Sequence, residues 1–142
     1  MKVVIDTNVW VSGLLKPGNP PGLVLRAIRD KEVTAVSSSH LWAELQRAVS
    51  YRSPRRALER DGLWPLVEKL LVEHPDIEFV EPISPTKRWV PEDSDDDWVI
   101  QCAVTAKADY IVSGDKAVLG LGEAEGIRIV SAARFVDEML RA

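Results

Sequence analysis

The sequence predicts an α/β fold, a mostly parallel sheet covered by helices on both faces. Two observations carry that expectation. Short runs rich in β-branched residues alternate along the chain with longer segments of helical period. Two of those runs lead directly into aspartates: Val3-Val4-Ile5 meets Asp6, and Tyr110-Ile111-Val112 is followed by Ser113-Gly114-Asp115. In open parallel sheets the carboxyl ends of the strands are where ligands bind. No repeat, low-complexity tract or domain boundary interrupts the 142 residues, so one domain over 1–142 is expected, long enough to bury a full core.

Taken in order, Val3-Val4-Ile5 reads as the first strand. The Pro-Gly-rich stretch Pro17-Gly18-Asn19-Pro20-Pro21-Gly22 reads as a turn, and Leu23 to Ile28 as the helix after it. Val33-Thr34-Ala35-Val36 is a second strand, and Ser37-Ser38-Ser39 offers hydroxyls to cap the next helix. There Leu41, Leu45, Ala48 and Val49 recur at i, i+4, i+7 and i+8, an inward stripe with Glu44 on its flank. A helix from about Leu63 to Glu73 and a third strand, Ile77-Glu78-Phe79-Val80, follow. Pro82, Pro85 and Pro91 hold an extended connection to a helix spanning Asp97 to Ala108. Tyr110-Ile111-Val112 and Ile127-Arg128-Ile129-Val130 are two further strands, and a helix from Ala133 to Leu140 closes the chain.

Bulk properties narrow the function classes. The N-terminus reaches Asp6 too soon for the apolar region of a signal peptide, and no apolar run approaches the ~20 residues of a membrane span. The one cysteine, Cys102, sits in a helical run as a small buried apolar residue, which fits a reduced, cytoplasmic compartment. The net charge of −4 hides an asymmetry. Arg47, Arg52, Arg55, Arg56 and Arg60 are opposed locally by Glu59 alone, whereas Glu92-Asp93-Ser94-Asp95-Asp96-Asp97 is the most negative stretch. A basic patch facing an acidic centre suits a phosphate-rich substrate held near metal ions. The competing reading is that these arginines merely solvate a helix and the loop after it.

The acids carry the chemistry. Asp6, Glu44, Asp97 and Asp115 each sit at a strand end or on a helix, where the fold can bring them to one edge of the sheet. Carboxylates gathered without a basic neighbour repel, and a hard divalent cation relieves that repulsion. Singly, each is ordinary as an Asx turn, a solvated helix position, a helix cap or loop chemistry. Their conjunction with the strand ends favours a metal site.

The opening Val-Ile-Asp-Thr-Asn, the helical Glu44, and Asp97 followed eighteen residues later by Asp115 in Ser-Gly-Asp together resemble a PIN domain, from Val3 to the Val130–Phe135 segment. The subgroup most resembled is the stand-alone toxin of bacterial and archaeal toxin–antitoxin pairs. That resemblance implies a three-layer α/β/α fold and a metal-dependent ribonuclease acting on single-stranded RNA. It also implies Mg²⁺ or Mn²⁺ as cofactor, an antitoxin protein as partner and a homodimer. It carries the family's acidic quartet onto Asp6, Glu44, Asp97 and Asp115, with Asn8 and Ser113 in support. Ser113 stands where the family more often has Thr, and the hydroxyl is kept. The eighteen-residue spacing picks Asp97, with Asp96 as the alternative. Arg47, Arg52, Arg55 and Arg56 are then the candidate RNA-binding cations.

Two other readings compete. An aspartyl-nucleophile phosphatase also places Asp at the end of a first strand, but it usually has a second acid two residues on, where this chain has Asn8. A domain that binds RNA or protein without cutting would gain nothing from clustered carboxylates that repel RNA. His40 and His74 read as surface or capping residues, and Trp10 and Trp42 as core or interface rather than base platforms.

Overall fold

The computed structural model describes residues 1–73, 76–81 and 83–140. His74 and Pro82 therefore lie outside the described residues. Six strands form one sheet: β1 (Lys2–Ile5), β2 (Thr34–Ser38), β3 (Ile77–Val80), β4 (Tyr110–Val112), β5 (Glu123–Ala124) and β6 (Ile127–Val130), in the order β3-β2-β1-β4-β6-β5. Every neighbouring pair is parallel except β5–β6, a short antiparallel edge. The chain runs outward from β1 through β2 to β3, then crosses back to lay β4 on the other side of β1, with Val4 opposite Ile111. That reversal puts the topological switch point between β1 and β4, where such sheets bind ligands.

The helices are α1 (Thr7–Leu15), α2 (Pro20–Arg29), α3 (Ser39–Ser50), α4 (Arg52–Arg60), α5 (Trp64–Glu73), α6 (Asp96–Ala106), α7 (Lys116–Leu119) and α8 (Ala132–Phe135), the last running into a π-turn at Val136–Leu140. The five expected strands form where their β-branched runs predict, within two residues at either end. Alternate strand residues face opposite cores, as the two-residue strand period requires. Val3, Ile5, Ala35, Val112 and Val130 enter one buried cluster with α1, α2, α3 and α5, whereas Val4, Val36, Ile111 and Ile129 enter a second with α6. Both faces of the sheet are thus covered, which gives the expected three-layer α/β/α arrangement.

Four elements go beyond the sequence reading: α1, α4, α7 and β5. The helix expected from Leu23 begins earlier, at Pro20. Asn19 caps it by accepting a hydrogen bond from Gly22 N at 2.9 Å, and Pro at the first helical position costs no hydrogen bond. The expected helix Asp97–Ala108 instead spans Asp96–Ala106 and ends at Lys107 in the left-handed region (φ 55°). The closing helix is a single α-turn continued as a π-turn rather than one helix to Leu140.

Candidate functional site

Asp6 ends β1 and caps α1, its Oδ1 accepting from Thr7 N at 2.8 Å. Its Oδ2 accepts from the hydroxyl of Ser113, just beyond β4, at 2.7 Å. Ser113 Oγ in turn accepts from Asp115 N at 3.1 Å, and Asp115 caps α7 through Ala117 N at 2.8 Å. Alongside, Asn8 Oδ1 accepts from Gly114 N at 3.0 Å. Two strand ends are stitched together, and the stitching fixes the carboxylates of Asp6 and Asp115 on one rim.

An open cleft of about 640 Å³ lies over this rim. Asp6, Glu44, Asp93, Asp96 and Asp115 line it, with Thr7, Asn8, Ala48, Tyr51 and Pro54 among its other walls. Glu44 comes from α3 on one flank, and Asp96 from the first turn of α6. An acid in that turn also complements the helix dipole.

The structure separates the two aspartates that the sequence could not. Asp97 is 1 % exposed and does not line the cleft. Its Oδ1 accepts from Val90 N at 2.8 Å, and its Oδ2 lies 3.0 Å from Arg88 Nε. Of the two, Asp96, the alternative to Asp97, is the aspartate that lines the cleft. One residue along a helix is a turn of about 100°, enough to move a side chain from the cleft to the loop behind it. Asp97 anchors the 88–90 segment that leads to Asp93.

The electrostatics of the cleft follow from this crowding. Burial holds the Asp6 carboxyl above its ordinary value, with Asp115 and Asp93 adding to the rise and the bonds from Ser113 and Thr7 opposing it. Glu44 is raised by burial and then by Asp6 and Asp95, against weaker pulls from Thr7 and Arg47. Asp96 is pushed up to about 7, first by burial and then by the charges of Asp6, Asp115, Asp93 and Glu44. Each of the three disfavours its own charge unless a cation joins it.

The donors suit a hard divalent cation, since all are carboxylate, amide or hydroxyl oxygens. Asp96 Oδ2 is buried without a hydrogen-bond partner, an arrangement that costs stability unless a proton or cation meets it. Among the described residues no three of His, Cys, Asp and Glu are drawn together tightly enough to form a ready-made cage. Carboxylates that face one another without counter-charge are expected to stand apart in this way.

The basic residues divide as well. Arg47 is an exposed position on α3, one turn from Glu44. Arg55 is occupied: its Nε lies 2.8 Å from Glu59 Oε1, and its guanidinium sits 4.5 Å from the centre of the Trp64 ring. Arg52 and Arg56 instead line an open concavity together with Arg60. His40 stacks on Trp98 with ring centroids 3.7 Å apart, and neither lines the cleft. Trp10 and Trp42 are buried against each other edge to face. Sequence reading missed Asp93 and Tyr51 as cleft residues; helical phase in α3 would have flagged Tyr51, seven residues beyond Glu44.

A doubly wound sheet with carboxylates converging at its switch point defines a class of acid-centred α/β proteins. The PIN domain family model matches residues 2–117, and the chain belongs to that family. PIN domains are generally nucleases and generally use divalent metals. The uncharacterized protein MJ1680 of Methanocaldococcus jannaschii is 30% identical over 122 residues, covering 85% of this chain and 75% of that protein. The fold is similar to a chain of VapBC2 from Rickettsia felis, solved bound to a DNA fragment from their promoter. The TM-score is 0.59 at 17% identity, over 91% of this chain and 97% of that one. No helix among the described residues is long and apolar enough to cross a membrane.

Proposed function

We propose that this protein is a divalent-metal-dependent endoribonuclease that cuts single-stranded RNA, and that it serves as the toxin of a toxin–antitoxin pair. The observation that carries the reading is the convergence of Asp6, Glu44, Asp96 and Asp115 on one cleft, with Asp96 Oδ2 buried and unpartnered. A binding module would gain nothing from acids that repel RNA; a hydrolase that recruits metal would.

Asp6, Asp96 and Asp115 would hold Mg²⁺ or Mn²⁺, with Glu44 or Asp93 completing the set. A bound ion supplies polarisation of the phosphodiester and a water of lowered pKa. The chain's own residues do the rest. Ser113 and Thr7 fix Asp6 through both of its oxygens, so its direction is set before substrate arrives. Asn8 pins the Gly114 backbone and with it the approach to Asp115. Glu44, half-buried with a raised pKa, would orient the attacking water and accept its proton on the carboxylate.

An antitoxin that inserts a basic side chain among these acids would block metal and RNA together through a charge-assisted bond. The similarity in fold to a VapBC2 chain supports a partner of this kind. A homodimer in a cytoplasmic setting remains part of the same proposal.

Cleavage of a mixed-sequence single-stranded RNA with Mg²⁺ or Mn²⁺, beside EDTA and Asp6→Asn, tests the reading. Cleavage that needs both metal and Asp6 supports it. If neither metal raises the melting temperature and no RNA is cut, the nuclease reading falls and a binding role replaces it.

A further inference from the structure

We infer that Tyr51 and the arginine stripe Arg52, Arg56 and Arg60 form a track that holds the single-stranded RNA flanking the scissile phosphate; the inference rests on the ribonuclease reading above. The track begins inside the cleft. Glu44, Ala48 and Tyr51 fall at i, i+4 and i+7 along α3, and all three line the cleft wall. Tyr51 is 66% exposed, an aromatic surface at the cleft mouth that the core does not use. It is also the hinge between helices, ending α3 and starting α4 in one extended residue.

From that hinge, α4 presents Arg52, Arg56 and Arg60 at i, i+4 and i+8, all lining one concavity with Ser53 and Ala57. Successive members of the stripe are separated by about 6 Å along the helix. That spacing is of the order of consecutive phosphates in an extended strand, so one guanidinium can meet each phosphate. Among the described residues Arg52 and Arg56 have no carboxylate within ion-pair distance, and Arg60 has only its exposed neighbour Asp61 at 3.5 Å.

Folding alone gives no reason for this composition. Leu58 is the one buried residue of α4. Like charges at i, i+4 repel, and arginines in the first turn oppose the helix dipole, with no acid there to compensate. A polyanion removes both penalties. Single-stranded RNA is the polyanion that the neighbouring features favour, because a stacking aromatic beside a cationic groove is how sequence-tolerant single-strand binding is built. The guanidiniums would also supply the attraction that the acid centre denies the substrate.

The test is fluorescence anisotropy of a labelled single-stranded RNA in EDTA across a salt series. The proteins are the full-length chain, the triple variant R52Q/R56Q/R60Q, R55Q and Y51A. Log K against log salt has a slope of about −0.7 per phosphate contact for single strands, so the triple variant is expected to flatten the slope by about 2. It should bind at least roughly tenfold more weakly while melting no lower than the parent. R55Q should bind within about twofold of the parent, because Arg55 is already engaged. Y51A should weaken binding and leave the slope unchanged, since stacking releases no counterions. A triple variant with the parent's slope, in a protein that still cuts RNA, overturns the track and leaves the nuclease reading intact. The track is equally overturned if R55Q matches the triple variant, or if poly-glutamate competes as well as RNA. A parent protein that neither binds nor cuts any RNA overturns both readings.

Discussion

Ser113 donates its hydroxyl hydrogen to Asp6 Oδ2 at 2.7 Å, although the two residues are 107 positions apart in the chain. Ser113 is fully buried, and the same hydroxyl oxygen accepts from Asp115 N. One small side chain therefore orients the acid after β1 and the turn that carries the acid after β4. Ser113→Ala is expected to lower stability by about 1–3 kcal/mol, because it strips a buried carboxylate oxygen of its donor. Ser113→Thr keeps the hydroxyl and should cost less than the alanine variant. Urea unfolding followed by tryptophan fluorescence measures both.

Asp96 and Asp97 should respond in opposite ways to the same change. Asp96→Asn removes a repelled, partnerless carboxylate, so the metal-free protein should melt higher. RNA cleavage should fall by at least the roughly 10–100-fold that loss of an outer-shell partner of a metal costs. Asp97→Ala abandons Val90 N and Arg88, and should melt lower by an amount on the order of 3 kcal/mol in free energy. A melting curve and a single-turnover cleavage assay on each variant separate the two roles.

Acidity should govern the metal-free fold. The carboxyl groups of Asp6, Glu44 and Asp96 are all raised in the folded state, Asp96 to about 7. The native state therefore holds more protons than the unfolded chain between about pH 4 and 7. Stability from these groups is complete below that window and is lost as pH rises through it. The melting temperature in EDTA should fall across this range, and Asp96→Asn should flatten the fall. Mg²⁺ or Mn²⁺ should restore stability at pH 7–8 by mass action.

The corner between α1 and α2 leaves no room for a side chain at Gly22. A Cβ there would lie 2.1 Å from the carbonyl oxygen of Pro17, a backbone atom that no rotamer change can move. Gly22→Ala should cost about 1–3 kcal/mol through the forced backbone shift. Gly18→Ala, four residues earlier, meets nothing within 4 Å and should fold normally. Denaturant midpoints of the pair give the comparison.

The strands and the acids at their ends were legible because a β-branched run that stops at a carboxylate is a strong mark of a strand leaving the core. Val3-Val4-Ile5-Asp6 and Ile111-Val112-Ser113-Gly114-Asp115 carry the switch point in plain sight. Helix α1 was not legible: Val9, Trp10 and Val11 are weak helix formers, and tertiary burial of Val9 and Trp10 overrides that preference. Helix α4 was hidden for the opposite reason, since a segment with only Leu58 inside has almost no apolar stripe to detect. The Asp96–Asp97 ambiguity was one of phase. A spacing count along the chain does not register which way the first turn of α6 faces; the Val90 and Arg88 contacts show Asp97 engaged behind the cleft. Distinguishing the arginines likewise needed partners in space, because Glu59 and Trp64 engage Arg55 within a row that looks uniform in sequence.

The pairing of β1 with β4, Val4 against Ile111, also bears on how the chain can be made safely. Asp6 leaves the ribosome more than a hundred residues before β4, the strand it must meet. Until that long-range, slowly closing contact forms, the acids are scattered along a chain that has no assembled cleft. On the proposed ribonuclease reading, the chain would be inert toward the message and ribosome producing it until β4 and the acid after it are free to fold. A restraining partner, on that same reading, would have that interval in which to arrive.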